Sequence, residues 1–449
     1  MSNSSRPKIL RNVSPFAVVL ALASLGLGLP RAHASKAEQR LVTAAFDSLL
    51  REPGAMDDPD RIAAAFEVGQ QSRLRGVVTM GPSSEVTTIP LDDLQRRLDK
   101  GELLVDWLCG AERTLVFTIS RDERHVFSIA GPAALAEKIR PARQALESRA
   151  NPGQSAKSAK TAGEDLARLL FGDALPLVAK ARTLILAPDG PLGLVPMTAL
   201  VVNGQPLVAT RTTTLSLALS FTTEAPDAAE PGRAMLAVQG GAAEPQAERA
   251  IEWLAGTFQG VTLARADRSV PDSAALVGYE ALHFAGRVTY DDEDPWKSGV
   301  DAGRRHAHSG DDPPRPGDDG LLRAEHVAGL RLGARVVVLA NCAHSAANIG
   351  PETLAASFLA AGARAVIVPL WPMDDRDVES LMRELYRTLD TGQPIGDAFR
   401  QAQDHQRRTS GTQHPHYWAG WSLWGDGSAK IDLKPNPIWK RGTPSNLKH

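Results

Sequence analysis

The sequence predicts an α/β fold, a mostly parallel sheet flanked by helices, preceded by a short helical hairpin and a small β-meander. Three observations predict it. From residue 164 onward, strand-like and helix-like segments alternate, the pattern of strands joined by covering helices. One of those strands, Val336-Val337-Val338-Leu339-Ala340, is apolar at every position, as expected of a strand buried on both faces. Before residue 164 the order differs: helical periodicity comes first, then short strands separated by turn residues.

The elements follow in chain order. Residues 37–51 form a first helix with Leu41, Ala44, Ala45, Phe46 and Leu49 on one side, broken by Pro53-Gly54. Residues 59–74 form a second, with Ile62, Ala63, Phe66 and Val68 apolar. A short helix covers 91–100. Strands at 102–108 and 114–120 flank the turn Gly110-Ala111-Glu112-Arg113, and 126–129 completes a meander. After a helix at 133–149, residues 151–163 are rich in Gly, Ser, Ala and Lys and read as a flexible loop. The alternating region then predicts strands at 183–187, 234–238, 281–285, 335–340 and 365–370. Helices are expected at 164–171, 246–258, 352–361 and 375–390. Residues 291–319 are dense in Asp, Arg, Pro and His and read as a surface insertion.

The first 34 residues read as a secretory signal peptide. Arg6, Lys8 and Arg11 give a basic start, 16–29 is an apolar run, and Ala32-His33-Ala34 is a small-x-small cleavage site. The expectation is an exported protein, periplasmic or secreted, with no stable membrane span once the signal is cleaved. Cleavage removes four positive charges and no acids, taking the formal net charge from −2 to −6. That balance speaks against nucleic acid, which demands a basic face. The remaining chain divides into a helical segment 35–100, an α/β domain 101–430 and a tail 431–449. No Cys/His spacing suggests a metal and no glycine-rich loop suggests a phosphate cofactor, so no cofactor is expected. The two cysteines, Cys109 and Cys342, formally allow one disulfide in an oxidising compartment.

Cys342 ends the apolar strand. In open α/β sheets, chemistry gathers at the carboxyl ends of strands. A thiol there reads either as a nucleophile or as a small buried hydrophobe.

Several separated motifs resemble one family. Leu184-Ile185-Leu186-Ala187-Pro188-Asp189-Gly190-Pro191-Leu192, Leu282-His283-Phe284-Ala285, Asp319-Gly320-Leu321-Leu322 and Val336 to Cys342 occur in the order of the CHAT domain. So do Phe358 to Arg364, Leu370-Trp371-Pro372-Met373-Asp374-Asp375 and His414-Pro415-His416-Tyr417-Trp418-Ala419. The CHAT domain is a caspase-like group related to separase. Residues 65–75 also resemble the last helix of a tetratricopeptide array. The resemblance implies a caspase-like sheet and a Cys–His dyad in which Cys342 is the nucleophile. It places the base in the family strand "Leu-His-Phe-Ala-Thr-His-Gly". Here that strand reads Leu282-His283-Phe284-Ala285-Gly286-Arg287-Val288, so Arg287 stands at the position of the histidine.

That departure governs the functional expectation. Peptide hydrolysis needs a group that accepts and returns a proton near neutral pH. Arginine stays protonated and cannot act as a base, although its charge favours a thiolate. Two histidines remain as surrogate candidates. His344 lies two residues beyond the thiol, and reads otherwise as an exposed loop histidine. His283 lies within the strand, and reads otherwise as a buried histidine with one hydrogen-bond partner. Asp374, Asp375 and Asp377 follow the strand that ends at Trp371. They read either as a helix N-terminus or, as the resemblance to separase implies, as an acidic pocket for a basic residue of a peptide. The expectation is a degenerate caspase-like peptidase that binds a protein or peptide partner. The alternative is an active cysteine endopeptidase cleaving after basic residues with Cys342 and a surrogate base. Nothing in the sequence sets an oligomeric state.

Overall fold

The computed structural model describes residues 58–78, 89–148, 152–217, 232–240, 245–265, 273–303, 319–342, 350–409 and 411–437. The first expected helix, 37–51, lies outside the described residues, as does the expected signal segment. Its partner is present as α1 (Pro59–Val78), followed by α2 (Leu91–Arg97).

The expected meander is β1 (Glu102–Cys109), β2 (Arg113–Ser120) and β3 (Arg124–Ala130), joined antiparallel. It is the edge of the main sheet, because β1 also pairs parallel with β4 (Thr183–Ala187). β4 pairs parallel with β7 (Thr212–Leu215), and between them in sequence lies a two-rung hairpin of β5 (Val201–Val202) and β6 (Gln205–Pro206). The central strands are β10 (Tyr279–Thr289), β13 (Val336–Cys342) and β14 (Ala365–Pro369), parallel to one another. β15 (Trp421–Gly425) runs antiparallel to β14 and meets β7 at Trp424–Leu215, which closes the two halves into one sheet. Outside β10, its first half is flanked by β8 (Arg233–Val238), itself paired with β9 (Val261–Ala264). Its last two residues are flanked instead by β11 (Gly299–Asp301), which pairs with β12 (Leu321–Arg323).

Helices cover both faces. One face carries α3 (Pro132–Glu147), α4 (Pro152–Phe171), the short α5 (Leu175–Lys180) and α7 (Pro351–Ala360), over a core that includes Trp107, Phe284, Leu339 and Phe358. The other carries α6 (Pro245–Thr257), α8 (Asp375–Leu389) and α9 (Ile395–Arg408), over Ile251, Val338, Tyr386 and Phe399. α1 and α2 cover the meander with Phe66, Leu94, Leu104 and Phe117.

Three expectations need correction. Residues 152–163, expected as a loop, begin the 20-residue helix α4. Alanine and lysine are strong helix formers. The small side chains of Ala159 and Ala162 are buried against the core, so the segment needs no large apolar anchors. The insertion 291–319 is not wholly a surface loop. Gly299–Asp301 is strand β11, with Val300 fully buried, and 304–318 lie outside the described residues. The tail does not begin at 431, because Ile431 and Leu433 are core residues and the chain at 434–436 hydrogen-bonds to residues 257–259. Nor does the structure allow the formal disulfide. Cys109 is a free thiol on β1, and five strand spacings, roughly 24 Å in all, separate β1 from β13.

Candidate functional site

The site is assembled at the carboxyl ends of β10 and β13. Cys342 is the last residue of β13 and stands opposite Val288 in the ladder. One rung earlier, Arg287 stands opposite Asn341, and it is exposed. The replacement read from the sequence therefore falls where the adjoining strand passes the thiol position. The ladder is irregular between Phe284 and Arg287, where β10 carries one more residue than β13. Gly286 makes this bulge possible. A Cβ at Gly286 would lie 1.7 Å from the Asp301 carbonyl oxygen of β11. No side chain fits there, including the threonine that the family strand carries.

His283 is not at the strand end. It pairs with Val338, four residues before Cys342, or about 13 Å back along the strand. It is 2% exposed, and its Nδ1 lies 3.0 Å from the Tyr386 hydroxyl. Burial pushes its pKa down to about 4, so it is a neutral imidazole at pH 7. The same burial pushes the Tyr386 hydroxyl up. His344 lies outside the described residues.

A small cleft, open at one side, lies between α6 and α8 over these strand ends. His283, Ala285, Ala340 and Asn341 form its floor. Ala247, Ala250 and Trp253 of α6 line one wall. Val378, Met382 and Tyr386 of α8 line the other, with Asp375, Glu379 and Arg383 on the same helix. The floor is open because β10 and β13 carry alanines there. The Arg383 guanidinium pairs with Glu379 at 2.6 Å and lies 4.7 Å from the centre of the Trp253 ring. A mostly apolar cleft with a few convergent polar groups is the ordinary form of a binding site.

The three aspartates separate. Asp375 is exposed and borders the cleft. Asp374 occupies the N-cap position of α8, and its carbonyl accepts the N–H groups of Asp377 and Val378. Asp377 is buried within the first turn. Acids at a helix start complement its dipole; no aspartate side chain caps the helix, and of the three only Asp375 borders the cleft.

The segment that delivers Asp375 is pinned. The Tyr290 hydroxyl donates to the Pro369 carbonyl. Arg143, which is buried, donates to Leu370 O at 3.0 Å. Trp371 Nε1 donates to His416 O at 3.1 Å. The tryptophan-rich motifs are thus framework: Trp371, Trp418, Trp421 and Trp424 are all at most 2% exposed. Asp189 is framework too, with Oδ2 accepting the Cys109 N–H at 2.8 Å. Sequence reading missed Trp253, Glu379, Arg383 and Tyr386, each an ordinary residue on an amphipathic helix. Their only signal is that Glu379 and Arg383 stand at i and i+4. Among the described residues no cluster of His, Cys, Asp or Glu is arranged to hold a metal, and no helix is long and apolar enough to cross a membrane.

Sheet order and covering helices define a caspase-like α/β fold. The chain belongs to the CHAT domain family, whose profile matches residues 160–426. Two crystal structures of the Saccharomyces cerevisiae separase–securin complex share the fold, with TM-scores of 0.50 and 0.51 at 12% and 9% identity. Each alignment covers 92% of this chain and 37% of that chain. Tetratricopeptide repeat protein 28 of Mus musculus is 30% identical over 130 residues and its Homo sapiens counterpart 32%. Those matches span 28% of this chain and only 5% of the relatives' length.

Proposed function

We propose that this is an exported CHAT-domain protein whose caspase-like peptidase site is degenerate, and that it works by holding a protein or peptide partner in the α6–α8 cleft. The observation that carries the reading is Arg287 on the rung beside Asn341, next to the rung of Cys342. A guanidinium there neither accepts the thiol proton nor returns one to a leaving amine. His283 is a poor substitute, being buried against Tyr386 well back along the strand. Gly286 gives further support, since β11 occupies the space that the family threonine would need. The loss of general acid–base help alone is about 10²–10⁴-fold in rate. The cleft favours a peptide with an apolar side chain for its alanine-lined interior and a lysine or arginine for Asp375.

The test is hydrolysis of lysine- and arginine-containing peptides by the purified protein. The expected result is peptide binding without turnover. Cleavage that disappears in Cys342→Ala would overturn the degenerate reading, and a further loss in His344→Ala would name the surrogate base. Arg287→His then asks whether the rest of the site survives. Because Gly286 and Asp301 have closed the adjoining space, this single reversion is expected to stay silent. Export is tested by the mass of the protein recovered outside the cytoplasm, with an N-terminus at Ser35 expected.

A further inference from the structure

We propose that the Glu379 carboxylate and the face of the Trp253 ring form a guanidinium-binding site in the α6–α8 cleft, and that Arg383 of the chain itself fills it. Arg383 is then the residue that sets the specificity of the cleft. With its side chain in place, Asp375 is the acid offered to a partner, and a peptide with two arginines gains nothing over a peptide with one. This rests on the reading of the cleft as a site for a basic peptide.

Arg383 shows by its own position what the site takes. Its Nε donates to Glu379 Oε1 at 2.8 Å, and its Nη2 lies 2.6 Å from the same oxygen. Its guanidinium carbon lies 4.7 Å from the centre of the Trp253 ring. A carboxylate beside an aromatic face suits a planar guanidinium, which stacks and pairs at once, better than a compact ammonium. All three residues line the cleft. The wall behind them is fixed. Trp253 packs edge-on against Phe258 at 6.3 Å between ring centres, and Phe258 lies 6.1 Å from Tyr386. The occupant is held less firmly. The Arg383 and Glu379 side chains are 42% and 41% exposed, and an exposed i,i+4 ion pair is weak. A fixed wall carrying an exchangeable cation is a site that another guanidinium can enter.

The helix also sets the spacing of a matching ligand. Glu379 follows Asp375 by four residues, about 6 Å along α8 at 1.5 Å per residue. In an extended peptide, side chains two residues apart share a side and lie about 7 Å apart. An Arg-x-Arg peptide therefore matches the two acids, and Arg383 already stands at one of them. The next arginine on α8, Arg387, pairs with Glu384 and does not line the cleft, so its removal changes the charge of the helix equally without opening the site.

The test uses the full chain and two fluorescein-labelled peptides, Ala-Ala-Arg-Ala-Arg-Ala and Ala-Ala-Arg-Ala-Gln-Ala, read by anisotropy. The unaltered chain is expected to bind the two equally. An exposed ion pair and an exposed cation–π contact together correspond to about four- to tenfold in affinity. Arg383→Gln should therefore prefer the paired peptide by that factor, and Glu379→Gln in that background should remove the preference. Arg387→Gln should leave the two affinities equal. A preference for the paired peptide in the unaltered chain overturns the proposal. So does the lack of one in Arg383→Gln, or the same one in Arg387→Gln. The single-arginine peptide separates this proposal from the reading of the cleft. If it binds the unaltered chain, is weakened by Asp375→Asn, and Arg383→Gln shows no preference, the cleft stands and the role of Arg383 falls. If neither the unaltered chain nor Arg383→Gln binds either peptide, the peptide-holding reading falls as well.

Discussion

The two faces of the β10–β13 pair are made by the same two strands, yet one is sealed and the other holds a cleft. On the sealed face, Leu282 and Phe284 of β10 and Val337 and Leu339 of β13 are all fully buried, and Phe284 packs on Phe358 at 5.9 Å between ring centres. On the other face the alternate residues are Ala281, His283 and Ala285 of β10, with Val336, Val338 and Ala340 of β13. The alanines at 285 and 340 fall where the strands end, and the space they leave is the cleft floor. A period-two alternation thus separates the sealed core from the cleft. One face spends its side chains on the core, and the other keeps them short and places a single polar ring among them.

The largest expected effect tests the sealed face. Phe284→Ala removes a fully buried ring and should destabilise the protein by about 3–5 kcal/mol, as large-to-small core changes do. Chemical denaturation would show it as a lower midpoint at unchanged slope. A loss under 1 kcal/mol would mean that the face is loosely packed and the contrast between the faces false.

This contrast was only half visible in the sequence. The run Val336 to Leu339 announces a strand buried on both sides, and the ordered motifs announce the family and the place of Cys342. The register that sets Arg287 beside Asn341 depends on the bulge around Gly286, whose missing side chain leaves room for β11, and β11 lay hidden in a charged insertion. The cleft was not legible at all. It depends on how far apart α6 and α8 sit, and Trp253, Arg383 and Tyr386 come from helices more than 100 residues apart. Helix α4 was misread because alanine serves equally in linkers and in close helix contacts. By contrast, the histidine within the β10 strand could be read as a buried ring with one partner, since an apolar strand offers it few others.

That histidine gives the second test, specific to the cleft face. Its pKa is lowered to about 4, against about 6.5 unfolded. Between these values the unfolded chain binds a proton that the native chain refuses. Stability therefore rises with pH across this window. It is complete above about 6.5 and is lost as the pH falls toward 4, by about 3 kcal/mol from this group. His283→Leu should flatten that part of the stability–pH curve while leaving the acid-range losses of carboxylates in place. An unchanged slope would mean that the ring is protonated in the native state and that Tyr386 accepts from it.

The smallest expected change in stability is also the sharpest test of the contrast. Enlarging a sealed position, as in Val337→Phe, forces neighbours off their rotamers and should cost about 1–3 kcal/mol. Ala340→Leu, three residues further along the same strand, is buried too but borders the cleft, which can take up the longer side chain, so it should cost less than Val337→Phe, under about 1 kcal/mol. Peptide binding should respond in the opposite order. Ala340→Leu fills the floor beside Asn341 and should weaken a basic peptide at least tenfold, whereas Val337→Phe should leave the affinity of its folded fraction unchanged. If both substitutions cost the same stability, the cleft closes in solution. If Ala340→Leu binds peptide normally, the partner is held somewhere other than over the strand ends, and the short side chains there serve packing alone.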